Sequence, residues 1–214
     1  MKILVTGFDP FGGQAINPAF EAVKLLPDCI GGAEIVKIEI PTVFGKCAAK
    51  VEEAIETHMP DCVLCVGQAG GRSSITVEKV AINYADARIA DNEGNQPLDC
   101  KIVPDGENAY FATLPVKAMV ENCRSKGIPA NLSFTAGTYV CNDVMYRLLH
   151  MTHTKYHHIK GGFIHVPFAV QQVTNYGDGM ASWEVSTIAK GLEYAIEAIA
   201  NNKEDVNIAM GTTH

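Results

Sequence analysis

The chain has no run of about 18 apolar residues, the length a membrane helix needs, although hydrophobic residues make up 47% of its 214 positions. It has no surplus of positive charge either. With 17 Lys and Arg against 24 Asp and Glu, the net charge is −7. No Lys/Arg cluster interrupts that balance, which argues against a nucleic-acid partner, since such a partner demands a basic patch to displace counterions. A disulfide framework is also missing. The seven cysteines are an odd number without framework spacing, in a chain long enough to build its own core. Reduced thiols in a cytoplasmic setting are the simplest expectation. The apolar run within Met1–Thr6 is too short for a signal peptide and lacks a small-residue cleavage site. Internal repeats, linkers and low-complexity segments are absent, so residues 1–214 read as one domain, with a polar tail after about residue 201 expected to be mobile.

What is present alternates between strand and helix signals. Lys2–Thr6 is a β-rich run ending at Gly7, and Asn17-Pro18 has the form of an N-cap followed by proline in the first helical turn. Strand patterns recur at Glu34–Ile40, Cys62–Val66, Asn131–Thr135 and Gly162–Val166, with a mixed extended segment at Ile75–Tyr84. Helical patterns recur at Ala19–Leu26, Phe44–His58, Pro115–Lys126, Tyr139–Met151 and Trp183–Ala200, the last with Ser182 as cap. Ala85–Tyr110 is a long loop, a length that usually marks a functional segment. The alternation predicts a single-domain α/β fold: a twisted, mainly parallel (mixed) central sheet with helices on both faces.

Few residues combine reactive chemistry with a telling position. Cys141 follows a strand and a Gly137 turn and opens a helix, which places its thiol at the C-terminal edge of the sheet, where α/β proteins hold ligands. A helix N-terminus favours the thiolate, the nucleophilic form. Taken alone, a cysteine is more often a small buried apolar residue. His165 ends an apolar strand just before Pro167, at the same edge, though a hydrogen-bonded structural histidine is the plainer reading. Glu78 lies among Val77, Lys79 and Val80 rather than in a run of charges. A Cys–His pair needs a third group to fix the imidazole tautomer, and a glutamate can serve.

The remaining features point less sharply. The turns Gly7-Phe8-Asp9-Pro10-Phe11-Gly12-Gly13 and Gly67-Gln68-Ala69-Gly70-Gly71-Arg72 match neither phosphate-loop pattern and lack lysine. Phe8 and Phe11 suit a flat, uncharged, apolar ligand instead. The sulfurs of Cys62 and Cys65 fall on opposite faces of a strand, which fits structural cysteines. His150, His153, His157 and His158 read as a solvated polar surface, and no Cys or carboxylate cluster joins them to make a metal site.

At these residues the sequence resembles the pyroglutamyl-peptidase I family of cysteine peptidases. The carriers are Gly7–Gly13 with Asn17-Pro18, the stretch Gly67–Arg72 through Ile75–Asn83, Ala136–Asn142, and Phe163–Pro167. They cover nearly the whole chain in order. The resemblance implies a catalytic triad of Glu78, Cys141 and His165. It implies a pyroglutamyl pocket shaped by Phe8, Phe11, Gln68, Ile89, Tyr139 and Val140, with Arg88 near the oxyanion. It further implies no cofactor and no metal, N-terminally pyroglutamylated peptides as partners, no membrane or nucleic acid, and homo-oligomers, a tetramer foremost, in the cytoplasm. Tyr139 stands where Phe is common and could add a hydroxyl to the pocket, and Asp143 follows Cys-Asn where other residues occur. Two other classes remain open on the residues alone: a phosphorylase-like transferase using the Gly-rich turns for phosphate, and a non-catalytic binding protein in which Cys141 is dispensable.

Overall fold

The computed structural model describes residues 1–174 and 179–212. In chain order the elements are β1 (Lys2–Phe8), α1 (Pro18–Lys24), β2 (Cys29–Ile30), β3 (Ala33–Ile40), α2 (Lys46–His58), β4 (Cys62–Gln68), β5 (Ile75–Glu78), β6 (Val80–Ile82), β7 (Ala109–Phe111), α3 (Val116–Ser125), β8 (Ala130–Ser133), α4 (Val140–Thr154), β9 (Lys160–Val166), β10 (Phe168–Ala169), α5 (Val170–Val173), β11 (Ser182–Trp183) and α6 (Val185–Asn201). Seven strands form one sheet in the order β2-β3-β1-β4-β9-β5-β8. The inner pairs β3-β1, β1-β4 and β4-β9 are parallel. β5 runs antiparallel to β9 and parallel to β8, which makes the sheet mixed. Helices α1, α3 and α6 pack together on one face, and α2 and α4 on the other. β1 and β4 are buried along nearly their whole length, as strands covered on both faces must be.

Several boundaries differ from the sequence pattern for physical reasons. The helix expected from Phe44 starts at Lys46, because Gly45 adopts φ 70° and donates its amide to buried Asp143. The extended segment from Ile75 splits at Lys79, whose amide donates to the Ser133 carbonyl, so that β6 leaves the main sheet and pairs with β7. Ser182 is not a helix cap. It pairs with Phe168 in a short parallel ladder, and α6 begins at Val185. The long loop is braced from within by buried Asp91, whose carboxylate accepts from the amides of Phe44, Glu93 and Asn95.

The polar tail is anchored rather than loose through its first part. Asp205 accepts from the amides of Lys117 and Ala118, and Val206 and Met210 pack against the core. Pro115, the N-cap of α3, offers no side-chain oxygen, so a carboxylate from the tail caps that helix instead. The histidine stretch is likewise not a plain solvated surface. His150 shares a hydrogen bond with the Tyr110 hydroxyl at 3.0 Å, and its ring stacks near Tyr146.

Candidate active site

The expected nucleophile, base and orienter meet on one face of the sheet. Gly67 on β4 is in register with His165 on β9, and registered neighbours point their side chains to the same face. A Cβ built on Gly67 would stand 2.9 Å from the Cys141 sulfur and 2.7 Å from the Phe163 ring. Gly67 is therefore the opening through which α4 sets its thiol against the strand beside His165. Glu78 is registered with Phe163, two residues before His165, so its carboxylate shares this face. His165 Nδ1–H donates to Glu78 Oε1 at 2.7 Å, and the carboxylate has no solvent exposure.

Cys141 reaches this position because Gly137 turns the chain at φ 81° and α4 begins at Val140. Tyr139, the N-cap, makes no side-chain capping bond, so the first amides of α4 have no side-chain acceptor from it. Two neighbours fasten the helix start. Asn142 accepts from the Ile82 amide and donates to the carbonyls of Ile82 and Tyr84. Asp143 accepts from Gly45 and Arg147.

The protonation pattern differs from the expected thiolate. Burial pushes the Cys141 thiol up to about 12, with the Glu78 charge adding to it and Arg72 opposing it. Burial also holds His165 below its ordinary value, partly countered by Glu78. Glu78 lies below the usual carboxylate range: burial pushes it up, but the His165 hydrogen bond and charge, with help from Ser133 and then Arg72, more than offset that. At neutral pH the unliganded site therefore holds a thiol, a neutral imidazole and a carboxylate. Because Nδ1 carries the proton toward Glu78, Nε2 is the ring's acceptor.

A cavity of about 490 Å³ opens beside this face, lined by Phe11, Gln68, Arg88, Ile89 and Phe168 among others. Its lining includes neither Cys141 nor His165, but Gln68 ends β4 directly after Gly67, which sets the cavity at the sheet edge that carries the thiol. Other expected pocket residues sit elsewhere. Phe8 and Val140 are 2% and 0% exposed, belong to the core, and do not line this cavity. Tyr139 packs its ring near Phe11, with centroids 6.2 Å apart, and donates its hydroxyl to the Ala90 carbonyl, so that hydroxyl braces the long loop rather than adding to the pocket. Gln68 was expected to donate and accept. Its Oε1 already accepts from Gln172 Nε2 at 2.8 Å, which leaves its amide N–H groups to donate.

Sequence reasoning missed Gln172, Asn142, Phe168 and Arg72 as parts of the site. Arg72 Nη1 donates to Glu78 Oε1 at 2.6 Å. Its signal was a lone arginine ending a Gly-rich turn before a buried glutamate. Cys62 and Cys65 are buried free thiols, pushed up to about 11 and about 12 by burial, as structural cysteines are. No group of three metal-ligating side chains occurs among the described residues.

A half-buried Cys and a buried His–Glu pair converging on one face of an α/β sheet make the arrangement of a thiol-dependent hydrolase. A family profile described as "Pyroglutamyl peptidase" matches residues 1–202. The pyrrolidone-carboxylate peptidase of Enterococcus faecalis is 60% identical over 214 residues, covering 100% of both chains. That of Finegoldia magna is 59% identical with the same coverage. The crystal structure of Bacillus amyloliquefaciens pyroglutamyl peptidase I superposes with a TM-score of 0.92 at 47% identity, covering 96% of this chain and 99% of that one. The chain belongs to the pyroglutamyl peptidase family.

Proposed function

We propose that this chain hydrolyses the bond after an N-terminal L-pyroglutamyl residue, with Cys141 as nucleophile, His165 as general base and acid, and Glu78 as orienter. The observation that carries this reading is the fully buried Glu78–His165 pair beside the thiol admitted by Gly67. His165 Nε2 takes the Cys141 proton as the sulfur attacks the pyroglutamyl carbonyl. The amides at the start of α4, with Arg88, stabilise the oxyanion. His165 then protonates the departing amine, and water activated by the same ring releases free pyroglutamate and the thiol. The imidazole starts neutral, so proton transfer accompanies attack rather than preceding it.

The pyroglutamyl ring is a lactam with no charge. Phe11, Ile89 and Phe168 offer it apolar surface, and the Gln68 amide donates to its carbonyl. The reaction calls on no cofactor. All seven cysteines are free, which supports a reducing, cytoplasmic setting. Exposed Leu98 and Phe111 support burial of surface in a homo-oligomer, a tetramer by family resemblance. One continuous core from Ile3 to Ile199 supports a single domain.

Selectivity tests the reading. A pyroglutamyl anilide is expected to turn over at least about 10²-fold faster, in kcat/KM, than a prolyl anilide, which lacks the ring carbonyl and carries a charged amine. Phe11→Ala is expected to lower kcat/KM on the pyroglutamyl substrate by about 10- to 100-fold, with the melting temperature little changed because the ring is only half-buried. Equal rates on both anilides would overturn the substrate assignment, and unchanged kinetics in Phe11→Ala would remove the ring from the pocket.

A further inference from the structure

Glu78 does not serve His165 alone. Its Oε1 accepts both from His165 Nδ1 at 2.7 Å and from Arg72 Nη1 at 2.6 Å, while Oε2 is buried without a partner. Ser133, the registered neighbour on β8, also helps to hold Glu78 in its charged form, and its hydroxyl lies within hydrogen-bond distance of the Thr135 carbonyl. The Arg72 side chain is 29% exposed, so the guanidinium is the link between this carboxylate and solvent. Its second arm, Nη2, donates to the Thr135 carbonyl at 3.2 Å, at the start of the loop that delivers Cys141. Arg72 also closes the turn whose Gly70 and Gly71 line the cavity.

We infer that Arg72 is a positioning residue: one guanidinium fixes the shared oxygen of Glu78, and through it His165, while holding the Cys141 loop against the β4–β5 turn. This rests on the reading of Cys141, His165 and Glu78 as the reacting and orienting groups. A planar fork reaches two acceptors in fixed directions, which a single ammonium cannot do. The charge has a second effect. It meets the same carboxylate oxygen as the imidazole, so it divides the pull that Glu78 exerts on a proton at His165. The charged side chains acting on His165 are Glu78 on β5 and Arg72 on the β4–β5 turn. Cys141 on α4 feels both, together with Cys65 on β4. Burial keeps His165 neutral in the resting site and Arg72 adds to that, so the ring gives up its proton readily to the leaving amine. Without Arg72, an undivided Glu78 raises the basicity of His165, and the fraction of neutral base falls at a given acidic pH.

The test is the pH profile of kcat/KM for pyroglutamyl-anilide hydrolysis by the full chain, with kcat and KM separated. Arg72→Gln is expected to lower kcat by about 10-fold or more with little change in KM, and to move the acid limb to higher pH. Arg72→Lys keeps the charge, so its acid limb is expected to stay at the wild-type position while kcat recovers only in part. A merely structural role would lower both variants' activity in step with their folded fraction, with the acid limb unmoved, and that result overturns the inference. Should Arg72→Gln fail to fold, Arg72→Lys decides: an acid limb displaced upward despite the retained charge refutes it. Cys141→Ser run in parallel separates the two levels. A fully active Cys141→Ser removes the underlying mechanism, whereas an inactive one beside an unaltered Arg72→Gln removes only the role of Arg72.

Discussion

Cys141→Ser is expected to leave a folded chain whose turnover of a pyroglutamyl anilide falls by a factor on the order of 10⁴ or more, the scale on which loss of the nucleophile acts in other triad enzymes. The site explains the size. The thiol is already held neutral by burial, close to 12, so attack depends on His165 taking a proton as the bond forms. A serine hydroxyl is less acidic and far less nucleophilic than a thiol, and a site arranged around sulfur does not make up the difference. Serine is slightly smaller than cysteine, and the opening at Gly67 that accepts the sulfur accepts a hydroxyl without clash. Substrate binding and melting temperature should therefore remain near those of the parent chain. Cys62→Ser, far from the reacting atoms though buried in β4, should keep kcat while losing some stability. A Cys141→Ser variant with a tenth or more of the parent's activity would rule out thiol chemistry at this position.

Glu78→Gln is expected to lower kcat by about 10² or more, with the effect concentrated in kcat. The amide oxygen can still accept from His165 and Arg72, so the geometry largely survives. What is lost is the charge that stabilises the imidazolium formed during attack. The direction of the pH effect follows. Glu78 raises the proton affinity of His165, so its loss lowers that affinity and moves the acid limb of kcat/KM to lower pH, opposite to the shift expected for Arg72→Gln. Stability should fall as well, since Arg72 loses its counter-ion at a buried carboxylate, although the partly exposed guanidinium can recruit water. Lys79→Gln is the comparison: its ammonium lies over the Phe111 ring, 5.7 Å from the centroid, away from the reacting groups. Equal kinetic damage from Glu78→Gln and Lys79→Gln would make Glu78 structural.

The residues assigned to the reaction stood out in the sequence because each is a chemically loaded type at a place where an apolar pattern breaks: Cys141 after a glycine turn, His165 before a proline, Glu78 between Val77 and Lys79-Val80. The α/β alternation was legible for the same reason, as the period of apolar residues changes with the element. The insertion of β5 antiparallel between β9 and β8 was not, since registered partners such as Glu78 and Phe163 lie far apart in the chain. Phe8 shows the limit of strand periodicity. Both faces of β1 are covered, so alternation cannot tell a pocket residue from a core residue, and its ring went to the core. Phe11 lies beyond the strand and was free to line the cavity. Gln172 left no local trace of its role, and Arg72 only its place at the end of a Gly-rich turn, because their partners are set by tertiary folding. Asp205 is similar: it caps α3 through the Lys117 amide, 88 residues earlier, and nothing in the tail's composition marks it.

Alkylation with mapping tests the central assignment most directly. The chain carries seven free cysteines, of which Cys29 and Cys100 are exposed and Cys141 is half-buried at the site. Limited treatment with iodoacetamide, followed by peptide mapping of each thiol and assay on a pyroglutamyl anilide, should show activity falling in proportion to the fraction of Cys141 modified. A substrate-sized pyroglutamyl ligand should slow both changes together, and modification of Cys29 and Cys100 should leave turnover intact. Full activity in a preparation whose Cys141 is completely alkylated would contradict the assignment of Cys141 as the nucleophile.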